Sequence, residues 1–426
     1  MTNTPENFAP MRPEVARQYL LTLATALREA ASTDSPDHLV DVARQSSRVL
    51  VRVAHLLAAL PADKLDGLKS SAGLAGEGEL LDFLERQLSA LHEAVQATTE
   101  QRAFDASNYI AHLHKHGEPF STMKLESAKE LRGGRAKRTV LLHCKSLDGN
   151  DADWVLRQDL PSEWPRTSVT FEYGLLQALS QAGLQVPRPA LLETNAGELG
   201  LPFMLVEKLP GRPPGDLYRP PKSAHLAQQF ATLLGALHGL SVNRVAHLPD
   251  LKTKIYSQTD LRETLAWYRD IYVRLDDPSA TISSIFAWLE RTVSEVEGPL
   301  AVVHGDVGFH NMLVHDGMIT GLLDWEEAHL GNPAEDVGYC RGDIEQMMDW
   351  PTFMETYRSS GGPMLSVAAI DFYSLLGEVK VYCSVLLARE NVETGKTRYL
   401  SLAECIVDWA PVLRQRMSQR IRGLSS

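Results

Sequence analysis

The sequence predicts an α+β chain in three parts: a helical bundle, a small lobe built on a sheet, and a larger, mainly helical lobe. Three observations carry this. Apolar residues recur at helical spacing through the first quarter of the chain without a strand signal. A strand–turn–strand pattern follows between residues 139 and 157. Helical patterns fill the remainder, broken between residues 300 and 323 by short apolar runs of strand length. The divisions are placed at 1–116, 117–210 and 211–426.

The elements follow in order. Val15, Tyr19, Leu23 and Leu27 step by four, and Leu39, Val42, Val49, Val53, Leu56 and Leu60 continue the pattern. Leu80, Leu84, Leu88, Leu91 and Val95 mark a longer helix reaching about Leu113, enough in all for a small bundle. Its apolar faces suggest a homodimer contact or docking on the rest of the chain. His112, His114 and His116 read as a solvated helix end, because no carboxylate stands at a metal-ligand spacing. His116-Gly117-Glu118-Pro119 then breaks the pattern.

In the second part, residues 139–144 and 154–157 read as strands about a turn at Asp148-Gly149-Asn150. Gly133 and Gly134 precede them, where a turn can bring backbone amides close to phosphate, although a plain hairpin turn explains them as well. A helix spans about 170–182, and a strand 201–207. In the third part, helices cover about 224–240, 261–275, 282–296, 368–388 and 401–416. Trp267, Tyr268, Tyr373 and Tyr382 on these helices read as packing residues that can also line a pocket, and His238 as a packed histidine.

One stretch, 299–338, states a chemistry. Leu300 to Val303 is a short buried strand ending in His304-Gly305-Asp306. Two apolar runs flank His315-Asp316-Gly317, and Asp-Gly between such runs signals a hairpin. Asp306 and Asn311 then lie on a loop, and the hairpin folds Asp324 back towards it. Phosphoryl transfer from a nucleotide uses such a trio. One carboxylate takes the proton of the attacking hydroxyl, while an amide and a second carboxylate hold Mg²⁺. Asp306 orients the acceptor, and Asn311 and Asp324 are the metal ligands. The order Asp-x4-Asn, hairpin, Asp is the kinase layout. In that layout a cation on a strand is held by a glutamate of the next helix; here the candidates are Arg157 and Glu172, with an ordinary surface arginine as the alternative reading of Arg157.

His304-Gly305-Asp306, Asn311, Asp324-Trp325 and Gly331-Asn332-Pro333-x-x-Asp336 resemble the aminoglycoside phosphotransferase and choline kinase family. Asp324-Trp325-Glu326 and Val155-Leu156-Arg157 are similar to the subgroup joined to acyl-CoA dehydrogenases. The resemblance runs from about Phe120 to the C-terminus and leaves the first 115 residues outside. It implies a bilobal protein-kinase-like fold, ATP and Mg²⁺ as cofactors, and a small-molecule hydroxyl as acceptor. It makes residues 208–211 a hinge, with the backbone at Glu207 and Leu209 meeting the adenine. The family usually has Asp where Asn332 stands. Asn332 makes a good N-cap, with Pro333 at the first helical position, Glu335 placed for a capping box and Asp336 complementing the helix dipole.

Composition bounds the alternatives. A net charge of −12 argues against nucleic acid as the main partner. No apolar run is long enough for a membrane span, and the N-terminus has no signal-peptide pattern. Four scattered cysteines suggest neither zinc nor disulfides but a reduced, cytoplasmic protein. A protein kinase would carry His-Arg-Asp, Asp-Phe-Gly and Ala-Pro-Glu, which this chain lacks. A nucleotide-binding regulator without catalysis is a second reading, raised by arginine in the lysine position and by the missing glycine-rich motif. Among acceptors, a hydroxyacyl-type metabolite or other small alcohol leads. An antibiotic would call for an acidic pocket, to which Glu326 and Glu327 can contribute.

Overall fold

In the computed structural model the described residues run from 106 to 424, apart from 132–136, 147, 160–167, 196, 216–219, 249–250, 252–257, 277–278 and 395–399. The expected N-terminal bundle and the Gly133-Gly134 turn lie outside them. The chain divides into two compact units, one of residues 103–264 with 287–377, the other of 1–102, 265–286 and 378–426.

The first unit opens on a short helix, α1 (Ser107–Leu113), and a five-stranded antiparallel sheet. Its strands are β1 (Lys124–Leu131), β2 (Lys137–Lys145), β3 (Trp154–Asp159), β4 (Pro189–Glu193) and β5 (Phe203–Glu207), in the order β1-β2-β3-β5-β4. Tyr109, Ile110 and Leu113 of α1 share one core with Val140, Leu142, Leu156, Phe203 and Leu205 of the strands. The helix α2 (Val169–Gln181), capped by the Ser168 hydroxyl, lies against β3, β4 and β5. Side chains alternate along a strand. Leu156 therefore enters the α1 core, while Arg157 turns to the other face and meets Glu172 of α2. The edge strands β1 and β4 had no signal in the sequence. Along β1 only Ala128 is buried, and β4 has no fully buried position, so neither shows the apolar alternation of a covered strand.

The helical part of this unit contains α3 (Ala224–His238), α6 (Ala334–Ile344) and α7 (Trp350–Ser359). Between them, β6 (Ala301–Val303) pairs with β9 (His329–Gly331), and β7 (Met312–His315) with β8 (Met318–Leu322). The expected Asp-Gly turn closes the second pair, with φ of 48° at Asp316 and 76° at Gly317. Thr320 Oγ1 donates to the Pro210 carbonyl at 2.6 Å, and Arg212 and Val314 exchange backbone hydrogen bonds at 3.2 and 3.0 Å. These contacts fasten the connection out of β5 to the hairpin. Gly211 makes the approach possible. Its φ is 110°, and a Cβ there would stand 2.5 Å from the Val314 oxygen.

α4 (Gln258–Leu275), α5 (Ala280–Thr292) and α8 (Val367–Glu393) run through both units, and α9 (Leu400–Leu424) belongs to the second. There Asp276 accepts hydrogen bonds from Tyr382 and Arg414. Tyr268, Tyr373 and Tyr382 are buried and Trp267 is exposed, in keeping with packing roles for the three tyrosines. No helix of the described residues is long and apolar enough to cross a membrane.

Candidate active site

β6 delivers His304-Gly305-Asp306 into a loop that needs a glycine at its bend. Gly305 has φ 82°, and a Cβ on it would lie 2.6 Å from the Glu327 oxygen. The bend is held from beneath by Asp336, in the first turn of α6. Its carboxylate accepts the His304 N–H at 2.8 Å and the Gly305 N–H at 2.9 Å. His238 Nε2 lies 3.1 Å from the same carboxylate, and its Nδ1 is 3.0 Å from the Tyr357 hydroxyl. Burial pushes the Asp336 pKa up, but His238 and the loop around His304 outweigh it and hold the carboxyl below its usual value.

His304 links the loop to the end of the hairpin. Its Nε2 is 2.9 Å from the Leu323 carbonyl, an acceptor only, so Nε2 carries the proton. Nδ1 then accepts the Asp306 N–H at 3.2 Å. Leu323 in turn donates its N–H to the Asn311 carbonyl at 2.7 Å. This ladder joins the loop of Asp306 and Asn311 to Leu323, the residue before Asp324. Asp306 Oδ2 accepts from Asn311 Nδ2 at 3.1 Å, and Oδ1 from the Tyr339 hydroxyl at 3.1 Å. Asn311 Nδ2 also donates to the Asp306 carbonyl at 2.9 Å. Asp324 follows Leu323 in the left-handed region, φ 65° and ψ 66°. A non-glycine residue held there costs on the order of 1–3 kcal/mol, and such strain concentrates at functional positions.

The opposite wall carries the positive charge. Arg157 Nη2 lies 3.2 Å from Glu172 Oε2 and 3.8 Å from Asp324 Oδ1. Burial alone would lower the Arg157 pKa; Glu172, Asp324 and Glu326 more than offset that and raise it. Lys137, which no sequence motif marks, joins this pair. Its ammonium is 3.8 Å from Glu172 Oε2 and 3.5 Å from Glu326 Oε2, and the residue is only 4% exposed. Lys137 Nζ, Arg157 Nε and Glu172 Oε2 are buried and make no hydrogen bond among the described residues. Buried donors in that state fit an anionic oxygen-rich ligand such as phosphate. Lys137 opens β2 with no motif around it in the sequence.

Three carboxylates, Glu172, Asp324 and Glu326, face two cations here. A polyphosphate entering such a cleft needs a further cation, and Asn311 Oδ1 and the Asp324 carboxylate are the hard oxygens Mg²⁺ prefers. Glu207 ends β5, and Lys208 donates its N–H to the Asp153 carbonyl at 3.3 Å. Leu209 packs over Gly321 of β8, where a Cβ would come within 2.3 Å of it.

Two expectations change. Glu326 is paired with Lys137 and is not a free acid for a polycationic acceptor. Glu335 does not close a capping box but meets His329 Nε2 at 3.1 Å. The cap itself is Asn332, whose Oδ1 accepts the Ala334 N–H at 3.0 Å, with Pro333 just before the helix. Asp336, expected to serve the helix dipole, also holds the loop that presents Asp306.

A model of the phosphotransferase enzyme family matches residues 127–370. The chain belongs to that family. Acyl-CoA dehydrogenase family member 11 of Rattus norvegicus is 25% identical over 250 residues, covering 56% of this chain and 31% of the relative. Viomycin phosphotransferase of Streptomyces vinaceus is 27% identical over 179 residues, 38% of this chain and 58% of the relative. The chain thus spans about a third of the length of the dehydrogenase-linked protein. The crystal structure of an assigned aminoglycoside phosphotransferase from Ralstonia eutropha superposes with a TM-score of 0.59 at 18% identity, over 75% of this chain and 99% of the other. At that identity the likeness shows the fold, a kinase-like one with a sheet-containing lobe and a helical lobe.

Proposed function

We propose that this phosphotransferase moves the γ-phosphoryl group of ATP onto a hydroxyl of a small molecule. The observation that carries the reading is the Asp306–Asn311 pair, with Asp324 beside Arg157 in a buried Lys137–Glu172–Arg157 cluster in which Lys137 Nζ, Arg157 Nε and Glu172 Oε2 make no hydrogen bond among the described residues.

Asp306, fixed by Asn311 and Tyr339, accepts the proton of the acceptor hydroxyl as its oxygen bonds to the γ-phosphorus and the bond to the bridging oxygen of ADP breaks. Arg157 and Lys137 bind the phosphates, and Glu172 holds both cations in place. Backbone groups at Glu207 and Leu209 serve the adenine. Asn311 and Asp324 would hold Mg²⁺, which would supply positive charge to the phosphates when bound.

A hydroxyacyl-type metabolite or other small alcohol is the favoured acceptor. The match to a dehydrogenase-linked relative supports this choice, as does the pairing of Glu326 with Lys137, which leaves one acid fewer for a polycation. An antibiotic acceptor is the second reading, supported by the match to viomycin phosphotransferase.

The test is transfer of labelled γ-phosphate from Mg-ATP to a panel of hydroxyacyl thioesters, small alcohols and aminoglycosides. Acceptor-dependent labelling, reduced about 10²–10⁴-fold in Asp306→Asn, is the expected result. No labelling of any acceptor, or a variant as active as the parent, would contradict the assignment.

A further inference from the structure

His112, at the end of α1, and His116, just after it, meet a carboxylate that lies far away in sequence. Glu193 closes β4, 81 residues beyond His112, so the linear pattern could not pair them. The two histidines are four apart and share a face, whereas His114 between them turns aside to the Met123 carbonyl at 2.8 Å. The three side chains are 15–32% exposed, which replaces the solvated helix end with a half-buried cluster.

We propose that His112, His116 and Glu193 bind one transition-metal ion of the zinc type, at the edge of the sheet. Nε2 of His112 lies 2.7 Å and Nε2 of His116 3.6 Å from Glu193 Oε2, and the three candidate ligand atoms fall within 4.8 Å of one another. Zinc with bonds of about 2.0–2.2 Å in a tetrahedron sets neighbouring ligand atoms roughly 3.3 Å apart, so small side-chain shifts seat the ion.

The cluster is also oriented in advance. The Asn195 N–H donates to Glu193 Oε1 at 2.8 Å, which leaves Oε2 directed at the imidazoles. The His112 ring packs edge-on to Phe203, with centroids 6.0 Å apart. Two imidazole nitrogens and one carboxylate oxygen suit Zn²⁺, Co²⁺ or Ni²⁺ and disfavour Mg²⁺, and water completes the fourth position. A bound ion ties α1 to β4, two elements on the same sheet core.

The test uses the full chain in millimolar Mg²⁺, which occupies hard-oxygen sites. Co²⁺ titration should show one equivalent with the visible absorption of four-coordinate cobalt, and Zn²⁺ should displace it and raise the melting temperature. Glu193→Gln keeps an amide able to bond Asn195 and His112 but removes the anionic ligand. In that variant and in His116→Gln, affinity should fall at least about tenfold, with the response to Mg-ATP intact. No zinc binding by the parent at about 100 μM, far above what a site of this ligand set requires, or equal binding by both variants, would overturn the proposal and leave a hydrogen-bonded pair.

Discussion

Asp336 and Glu172 are both carboxylates withdrawn from water, at 1% and 2% exposure, yet their surroundings differ. Asp336 takes two backbone N–H groups and the His238 ring, all within 3.1 Å. Glu172 faces two cations, and its Oε2 has no hydrogen bond of good geometry among the described residues. Buried polar groups are ordinarily satisfied, and an unsatisfied one marks a strained or functional place. The wall that presents Asp306 is therefore complete in the protein alone. The wall of Lys137, Arg157 and Glu172 leaves three buried polar atoms without a hydrogen bond among the described residues, and in the proposed reaction the phosphates would meet them. The carboxylate beneath Asp306 is satisfied by hydrogen bonds, whereas Glu172 is held by ion pairs with Lys137 and Arg157.

This contrast can be broken first at Asp336. Asp336→Asn should lower stability by about 3 kcal/mol, because it disrupts a buried charge-assisted network, as read by urea unfolding. The pH dependence sharpens the point. The folded pKa of Asp336 lies below the unfolded value of about 3.9, so its contribution is whole above that pH and is lost as pH falls through the folded pKa. Acid titration of stability should be flatter in Asp336→Asn than in the parent, and parallel curves would contradict this reading.

Lys137→Met should weaken Mg-ATP binding at least about tenfold, and should cost less stability than Asp336→Asn because Arg157 still pairs Glu172. Isothermal titration alongside unfolding separates the two effects. Glu172→Gln should behave alike, and a stability loss matching that of Asp336→Asn would erase the distinction between the walls. The smallest effect belongs to Tyr339→Phe. Losing the hydroxyl that orients Asp306 should lower kcat several-fold, about 1 kcal/mol, without altering nucleotide affinity.

The sequence made legible what local spacing encodes. Asp306, Asn311 and Asp324 are set by a loop of fixed length and an Asp-Gly hairpin, and Arg157 faces Glu172 because a strand alternates and a helix follows. Groups joined across long separations were not legible. Asp336 reaches the backbone of His304, 32 residues away, and Lys137 reaches Glu326 only once β2 is in place. The strands β1 and β4 left no pattern because edge strands with exposed faces need no apolar alternation. For the same reason the carboxylate of Glu193 was not connected with His112.

The most direct test of the account is the melting temperature with and without Mg-ATP in the parent, Lys137→Met and Asp324→Asn. A ligand held at about 100 times its dissociation constant stabilises the folded state by about 2.7 kcal/mol. A clear rise is expected in the parent, mostly lost in both variants, while Asp306→Asn keeps it. No rise in the parent, or the same rise in all four proteins, would contradict the claim that this cleft is completed by a nucleotide.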